Sequence, residues 1–146
     1  MKQILATTND TSLAICRLVL GIVFFMHGAQ MTLGWFGGYG FSGTMHFFTT
    51  QVGIPAVFAA LAILAQFLGG LGLIVGLLGR IAAFGIACVM LIAIFKVHLA
   101  MGFFMNWYGT QKGEGYEYHL LALALCLLII VKGSGALSLD RVLNKA

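Results

Sequence analysis

The sequence predicts an all-α, polytopic membrane protein built as a bundle of four transmembrane helices. Of its 146 residues, 61% are hydrophobic and only 8% are charged, whereas soluble domains carry about 25% charged residues. The mean hydropathy is +1.03, and four apolar stretches approach or exceed the roughly 20 residues with which a helix crosses a bilayer. This composition excludes a cytosolic enzyme, and the absence of any Lys/Arg cluster excludes a nucleic-acid-binding protein.

We expect one domain over residues 1–146, with its transmembrane helices at residues 13–33, 56–78, 81–100 and 116–131. Polar residues at positions 7–11 supply an N-cap for the first helix. Pro55 precedes the second helix, close to the first turn, where its missing N–H costs least. Gly79 and Arg80 are predicted to form a very short turn before the third helix, and Gly133 begins a segment that can cap the fourth helix with left-handed backbone.

Small residues in the second helix predict close packing against a neighbouring helix. Gly72 and Gly76 are four residues apart, a spacing that lets transmembrane helices approach each other closely. Gln66 precedes them on roughly the same face of the helix. We therefore expect the Gln66 amide to point into the bundle and to hydrogen-bond across helices.

The distribution of basic residues sets the predicted orientation. If both termini share one side of the membrane, that side receives most of the basic residues near helix ends: Lys2, Arg17, Arg80, Lys132, Arg141 and Lys145. The positive-inside rule makes this the cytoplasmic side. There, residues 138–145 are predicted to form a short amphipathic helix on the membrane surface, with leucine and valine side chains toward the lipid and Arg141 toward water.

The loop between the first two helices is rich in aromatic residues and contains no Asp, Glu, Lys or Arg over residues 34–53. Such a segment lies in the membrane interface or dips back into the membrane. Together with the aromatic residues at positions 103–108 in the second outer loop, it forms either an interfacial aromatic belt or a lid over a site. The residues alone do not separate these alternatives.

Polar side chains inside apolar helices are candidate site residues, because they are costly in lipid. The candidates are Arg17, His27, Gln30, Gln66, Lys96, His98 and Glu117. With a rise of 1.5 Å per residue, His27 lies about 9 Å from the outer end of its helix, and His98 and Glu117 lie close to the outer ends of theirs. Arg17 lies near the inner surface, where snorkelling to the headgroups is the alternative to a buried role.

The predicted chemistry rests on three titratable groups in the outer half of the membrane. An imidazole, which titrates at about pH 6.5, and a carboxylate can exchange protons with a quinone as electrons arrive. His27, His98 and Glu117 are therefore the predicted catalytic residues. Lys96 is about 200° around the helix from His98, so we expect only His98 to face the site.

Other interpretations of these groups stay open at this stage. Two histidines on separate helices can instead bind haem iron or another metal. Each group also has a structural interpretation: a histidine satisfied by a neighbouring carbonyl for His27, an interfacial histidine for His98, and a carboxylate favoured by the helix dipole for Glu117.

Several segments together resemble the DoxX family of small bacterial membrane proteins, and the likeness covers nearly the whole chain. They are RLVLG at 17–21 with Phe24 and His27-Gly28, GWFGG at 34–38, QFLGG at 66–70, VHL at 97–99 with GFF at 102–104, and GYEY at 115–118. The resemblance implies a four-helix bundle in the bacterial inner membrane. Some family members are linked to quinone-dependent oxidation of thiosulfate, and others to membrane oxidoreductase complexes or to quinone and oxidative-stress responses.

The chain departs from the family pattern at two positions. Gln66 stands where the family has Glu, and Gln30 stands where it often has Lys. Both replacements remove a charge. If the family Glu balances a buried Arg or relays protons, Arg17 loses that partner here and the relay is absent.

The resulting hypothesis is a membrane subunit of a quinone-linked oxidoreductase, with a polar site near the outer, periplasmic face. Beside the three catalytic candidates, the residues expected to contact the cofactor are Trp35, Gln66, Phe104 and Tyr116. A quinone is the expected cofactor, haem is the alternative, and no protein metal site is predicted. Because the sequence has no nucleotide, flavin or Cys-cluster motif, electrons would come from a partner, and whether the chain is itself an enzyme stays open.

Two other functions remain as alternatives. Its Gly-rich helices suit a non-catalytic anchor or assembly subunit of a larger complex, and a third alternative is a small transporter, which would need an ionisable path across the bilayer. The expected partners are membrane lipids, quinone, and other subunits or further copies of the chain, with no nucleic acid.

Overall fold

The structure, a computed structural model, describes residues 2–145 and contains only helices and connecting loops over that range. Its α-helices are α1 (Lys2–Leu5), α2 (Thr11–Leu33), α3 (Gly40–His46), α4 (Ala56–Val75), α5 (Gly79–Ala93), α6 (Glu117–Lys132) and α7 (Leu139–Lys145). The chain also forms 3-10 turns at Trp35–Gly37 and Leu99–Met101 and π-helical turns at Phe47–Gln51 and Ile94–His98. The predicted all-α fold is confirmed.

Three helical segments are long and apolar enough to cross a membrane: Thr11–Leu33, Ala56–Val75 and Gly79–Met101. The last of these is α5 with its π-helical and 3-10 extensions. Helix α6 has 16 residues, fewer than the roughly 20 of a typical span. The four helices nevertheless pack side by side, because α2 contacts α4 and α6, and α5 contacts the same two helices.

The two ends of this helical assembly differ in what they carry. We call the end with residues 34–55 and 102–116 the loop end. We call the opposite end, with residues 6–10, 76–79 and 133–138, the terminal end. Both termini of the described chain lie at the terminal end, where α1 contacts α7.

Two predicted boundaries at the terminal end are wrong. Helix α4 ends at Val75 rather than at residue 78, because Gly76 adopts a left-handed conformation with φ of 71° and caps the helix. Leu78 is also left-handed, with φ of 52°, and α5 begins at Gly79, which therefore lies in the helix and not in the turn. The first helix starts at Thr11, two residues before the predicted start.

The predicted N-cap of the first helix is confirmed and belongs to Asp10. Its carboxylate accepts a hydrogen bond from the backbone N–H of Leu13 at 3.1 Å. This bond satisfies one of the free N–H groups of the first turn. The third helix was predicted to end at residue 100, whereas α5 itself ends at Ala93 and continues to Met101 only through its π-helical and 3-10 turns. The other predicted helix ends lie within two residues of the observed ones.

Helices α2 and α4 approach each other most closely at two glycines. A Cβ atom on Gly28 would overlap the backbone of Phe67, and one on Gly70 would overlap the backbone of Phe25. The rings of Phe25 and Phe67 stack beside this contact with centroids 5.5 Å apart. Only glycine allows the two backbones to lie this close, so these positions set the spacing of α2 and α4.

The close packing predicted for α4 is present, but the predicted motif does not make it. Gly76 ends the helix, and a Cβ on Gly72 would meet the carbonyl oxygen of Leu77 at 3.0 Å and the Ala82 side chain of α5 at 3.8 Å, which is ordinary contact and not a close approach of two helix backbones. Spacing alone cannot identify which glycine of a rich segment faces a neighbour. Gly70 makes the contact because it lies on the face of α4 that packs against α2.

Arg17 lies inside the protein at the terminal end, with only 1% of its surface exposed. Its guanidinium donates hydrogen bonds to five backbone carbonyl oxygens, those of Leu73, Ile74, Ser134, Ala136 and Leu137. The first two carbonyls belong to the free end of α4, and the other three to the segment between α6 and α7. The snorkelling interpretation of Arg17 is therefore wrong, because carbonyls without helical partners satisfy the guanidinium inside the protein.

Asp140 secures the same region from another side and is also only 1% exposed. Its carboxylate accepts hydrogen bonds from the N–H groups of Leu78 at 2.7 Å and Gly79 at 3.0 Å, and from the Ser134 hydroxyl at 2.5 Å. The N–H groups are those left free at the start of α5, where a negative charge is favoured. The segment after α6 is thus tied to α4 through Arg17 and to α5 through Asp140.

We expect Gly70→Ala to destabilise the protein, because the added methyl group overlaps the Phe25 backbone. Overpacking of this kind costs about 1–3 kcal/mol, and thermal unfolding of the detergent-solubilised protein measures the loss. Gly69→Ala is the matched control, since a Cβ there makes ordinary contacts with α5 at 3.6 Å. Its unfolding midpoint should equal or exceed that of wild type. Equal midpoints for the two variants would contradict this packing.

Arg17→Met should destabilise the protein more than Gly70→Ala does. It keeps the length of the side chain but leaves several buried carbonyls without a donor. The expected loss in unfolding free energy is about 3 kcal/mol or more. Arg17→Lys should be intermediate, since one ammonium group cannot reach all the carbonyls that the guanidinium fork reaches. Thermal unfolding again gives the measurement, and a wild-type midpoint for Arg17→Met would show that these hydrogen bonds do not hold the terminal end.

Candidate functional site

A cavity of about 540 Å³ lies at the loop end, enclosed by α2, α4, α6 and the last turns of α5 with its π-helical extension. This volume is typical of small-molecule sites. Most of the lining is apolar and includes Phe24, Met31, Phe58, Val89 and Met90. The polar side chains on its wall are His27, Gln66, Lys96, His98, Glu114, Tyr118 and His119. A mostly apolar cavity with a few polar groups suits an amphipathic ligand.

Two imidazoles from different helices meet at this cavity. The ring centroids of His98 and His119 are 4.1 Å apart, and their planes are inclined by 43°. The Nδ1 atom of His98 lies 2.7 Å from the backbone carbonyl oxygen of Glu114. Because a carbonyl oxygen only accepts, this nitrogen carries the proton, and Nε2 of the neutral ring keeps its lone pair.

His119 is the more buried member of the pair, with 6% of its surface exposed. Its buried Nδ1 has no hydrogen-bond partner among the described residues, and the same is true of the neighbouring Tyr118 hydroxyl. Buried polar atoms without partners are uncommon and costly. Their presence beside a cavity marks this wall as the polar end of a candidate binding site.

His27 and Gln66 line the cavity from α2 and α4. His27 is exposed, and its ring lies near that of Phe24, with centroids 6.5 Å apart. Gln66 is 4% exposed, and its amide donates a hydrogen bond to the Met31 sulfur of α2 at 3.2 Å. As the sequence predicts, Gln66 points inward and bonds across helices.

Other predicted site residues do not line the cavity: Trp35, Phe104, Tyr116 and Glu117. Trp35 and Phe104 are 52% and 66% exposed. Tyr116 packs edge-on against Phe103, with ring centroids 5.4 Å apart. Glu117 opens α6 and faces the second loop, where its carboxylate accepts a hydrogen bond from the backbone N–H of Met105 at 3.2 Å. Glu117 therefore holds this loop to α6.

The expectation that Lys96 cannot share a site with His98 is wrong, because both border the cavity. They lie in the π-helical turn Ile94–His98, where the helix is wider than an α-helix. Lys96 is also exposed, and its flexible four-carbon stem lets it reach the cavity edge from another side of the helix.

Sequence reasoning missed His119, although a signal was present. His119 begins a row on α6 that continues with Ala122, Cys126 and Ile129, and all four are buried. This spacing of three and four residues marks the inward face of a helix. A histidine at the head of such a row faces the bundle, whereas Glu117, two residues earlier, points to the loop.

The charge-free first loop divides into a part that lines the cavity and a part that is exposed. Phe47 and Phe48, from its π-helical turn, line the cavity. Trp35, Tyr39 and Phe41 are instead exposed, at 52%, 80% and 45%. One part of the loop thus closes the cavity, and the other presents aromatic side chains at the loop end.

The fold and the cavity define a class of protein: a multi-pass helical membrane protein whose long helices enclose a mostly apolar cavity at one end. The family model for DoxX matches residues 12–99, which include α2, α4 and α5. The chain belongs to the DoxX family.

Two relatives match over most of the chain. One is "Inner membrane protein YqjF" of Escherichia coli (strain K12), 30% identical over 137 residues that cover 94% of this chain and 95% of the relative. The other is "Putative oxidoreductase CatD" of Bacillus subtilis (strain 168), 30% identical over 126 residues that cover 86% and 82%. No solved structure gives a significant match. The family, the first relative and the three apolar helices confirm the predicted multi-pass protein of the bacterial inner membrane.

We expect the neutral form of His98 to carry its proton on Nδ1, because this atom lies against the Glu114 carbonyl. Nitrogen-15 NMR of the histidine-labelled protein in detergent reports the tautomer, and His98→Gln identifies the signal by removing it. His46 is a useful comparison, since it is exposed on α3 and its ring makes no hydrogen bond to the described residues. An Nε2-protonated tautomer for His98 would contradict the hydrogen bond.

Proposed function

We propose that this chain is a four-span membrane subunit of a quinone-linked oxidoreductase system, with both termini in the cytoplasm and a quinone bound in the loop-end cavity. The observation that carries the proposal is the pairing of mostly apolar walls with the polar group of His98, His119, His27 and Gln66. A quinone has the same character, because its ring oxygens accept hydrogen bonds while its ring and tail are apolar.

The proposed topology takes α6 as the fourth span. Sixteen residues give a helix of about 24 Å, and α6 packs along α5 and α2 with a buried row of side chains on its inner face. Arg80, Lys132 and Arg141 lie at the terminal end, which supports a cytoplasmic location for that end.

The cavity borders the outer surface of the helices as well as their interior. Phe58, Ile92 and Val97 line it and are also 58%, 42% and 38% exposed. In a bilayer these residues would meet lipid tails. A lipid-soluble ligand such as a quinone could therefore reach the cavity from within the membrane.

The residues have distinct roles in this proposal. When bound, a quinone supplies two-electron chemistry coupled to two protons. Reduction of the ring takes up two protons: His98 can take a proton from water on its Nε2 lone pair and donate it to a ring oxygen, which returns the imidazole to its neutral form, and His119, which faces it, can pass the second proton in the same way. Gln66 can donate a hydrogen bond to a ring oxygen by giving up its weak bond to Met31.

Electrons would reach the quinone from a partner subunit or a separately bound cofactor. The similarity to a protein named as an oxidoreductase, CatD, supports a redox role at this site. Haem fits this site less well than a quinone does. The ring centroids of His98 and His119 lie 4.1 Å apart, which leaves no space for a haem macrocycle between the two imidazoles.

The two alternative functions, a transporter and an anchor subunit, explain fewer of these structural features. Between the cavity and Arg17 the helices pack through buried apolar residues such as Leu20, Leu73 and Ile86, so an ionisable path, as a transporter needs, is interrupted there. An anchor subunit needs no cavity with imidazoles. It would be recognised as a stable complex with other subunits that binds no quinone.

We expect His98→Ala and His119→Ala each to weaken binding of a decyl-tailed benzoquinone by about tenfold, the value of one good hydrogen bond. Isothermal titration of the detergent-solubilised protein measures the affinity. His46→Ala is the matched control, because it removes the same side chain from an exposed position outside the cavity, and it should bind as wild type does.

A variant that fills the cavity tests the site without touching a polar group. Ala62 lies on the cavity wall, and Ala62→Phe should abolish binding by occupying the space. If wild type binds no quinone, or if His46→Ala weakens binding as much as His98→Ala, the proposal is wrong.

A further inference from the structure

We propose that the terminal end holds an anionic phospholipid, with the lipid phosphate on Arg141 and an acyl chain in the groove beside it. This groove has a volume of about 380 Å³ and is lined by Val75, Leu137, Ser138, Leu139, Arg141 and Val142. The groove lies at the terminal end of the helical assembly and the proposed quinone site lies at the loop end, so the two proposals are independent.

Arg141 differs from the two other arginines at this end. Arg17 uses its guanidinium on five backbone carbonyls, and Arg80 uses its own on the carbonyls of Ala6 and Ile130. Arg141 makes no side-chain hydrogen bond to any residue that the structure describes. The N–H donors of its planar guanidinium are therefore free to bind a ligand, and their geometry matches two oxygens of a phosphodiester.

The apolar wall of the groove includes one residue with a strained backbone conformation. Leu137 has φ of 49°, in the left-handed region, and its side chain is 84% exposed. A leucine in this conformation persists only when its surroundings impose it. Arg17 does so, because it donates hydrogen bonds to the carbonyls of Ala136 and Leu137.

Other apolar side chains continue the surface that Leu137 begins. Val75 ends α4 and is 40% exposed, and Leu139 and Val142 of α7 are 45% and 65% exposed. An apolar groove in which Arg141 is the only charged side chain matches the two parts of a phospholipid, its acyl chain and its phosphate. The groove is also preformed, since Arg17 and Asp140 fix both segments that flank it.

The local charge favours an anionic lipid over a zwitterionic one. Lys132 is exposed at the last turn of α6 and adds positive charge to this end. The carboxylate of Asp140 is buried against α5, and that of Asp10 caps α2. Among the side chains that the structure describes at this end, the basic ones outnumber the acidic ones, with Arg17, Arg80, Lys132 and Arg141 against Asp10 and Asp140. This net positive charge favours an anionic headgroup.

The test is native mass spectrometry of the purified full-length chain in neutral detergent. Phosphatidylglycerol and phosphatidylcholine with the same acyl chains are titrated separately, and the fraction of protein carrying lipid is measured. Wild type should retain phosphatidylglycerol preferentially. Arg141→Gln should weaken this binding about fivefold, whereas Lys132→Gln, which removes the same charge from a nearby exposed position, should weaken it less than about twofold.

Leu137→Ser tests the groove without altering charge and should reduce the binding of both lipids. Since Arg141 and Leu137 side chains make no hydrogen bonds within the described chain, both variants should unfold at the wild-type temperature. Equal losses for Arg141→Gln and Lys132→Gln would overturn the proposal in favour of general surface charge. Displacement of the lipid by millimolar inorganic phosphate alone would overturn it in favour of a free-phosphate site.

Discussion

The guanidinium of Arg17 is the interaction on which the terminal end depends. A charged group among apolar helices is stable only if its donors are used, and here backbone carbonyls at the end of α4 and after α6 use them. One side chain thereby ties the end of α4, where Gly76 stops the helix, to the turn before α7. Asp140 completes the arrangement by capping α5, so the two buried charges satisfy separate backbone groups.

The loop end follows the opposite principle. Gly28 and Gly70 hold α2 and α4 at a short distance along the middle of the two helices, yet at the loop end a cavity remains, and two buried polar atoms beside it have no partner among the described residues. The unpaired Nδ1 of His119 and hydroxyl of Tyr118 contrast with the saturated network at Arg17. These atoms are one reason for proposing the quinone site at the loop end, whereas the proposed lipid site at the terminal end depends on Arg141.

Sequence patterns predicted much of the fold and only part of the site. Helix positions came within about three residues when the π-helical and 3-10 turns that extend α5 to Met101 are counted with it, since apolar runs, caps and glycines are local signals. His27 and His98 were selected by their shared depth in the outer half of the membrane and Gln66 by its position on the inward face of its helix, and all three line the cavity. Glu117 was selected on the same ground but faces the loop, because depth does not specify the direction of a side chain. His119 was overlooked although its helical row marks it as inward-facing.

Composition and hydrophobic pattern by themselves determined that this chain is an all-helical, multi-pass membrane protein, because burial in lipid depends on the number and order of apolar residues. They also selected Arg17, His27 and His98, because a polar side chain inside an apolar helix is costly in lipid. Only the tertiary structure decided which of these groups are partnered. The carbonyls that receive Arg17 are up to 120 residues away along the chain, and the His98–His119 pair joins two helices, so no local pattern contains either contact.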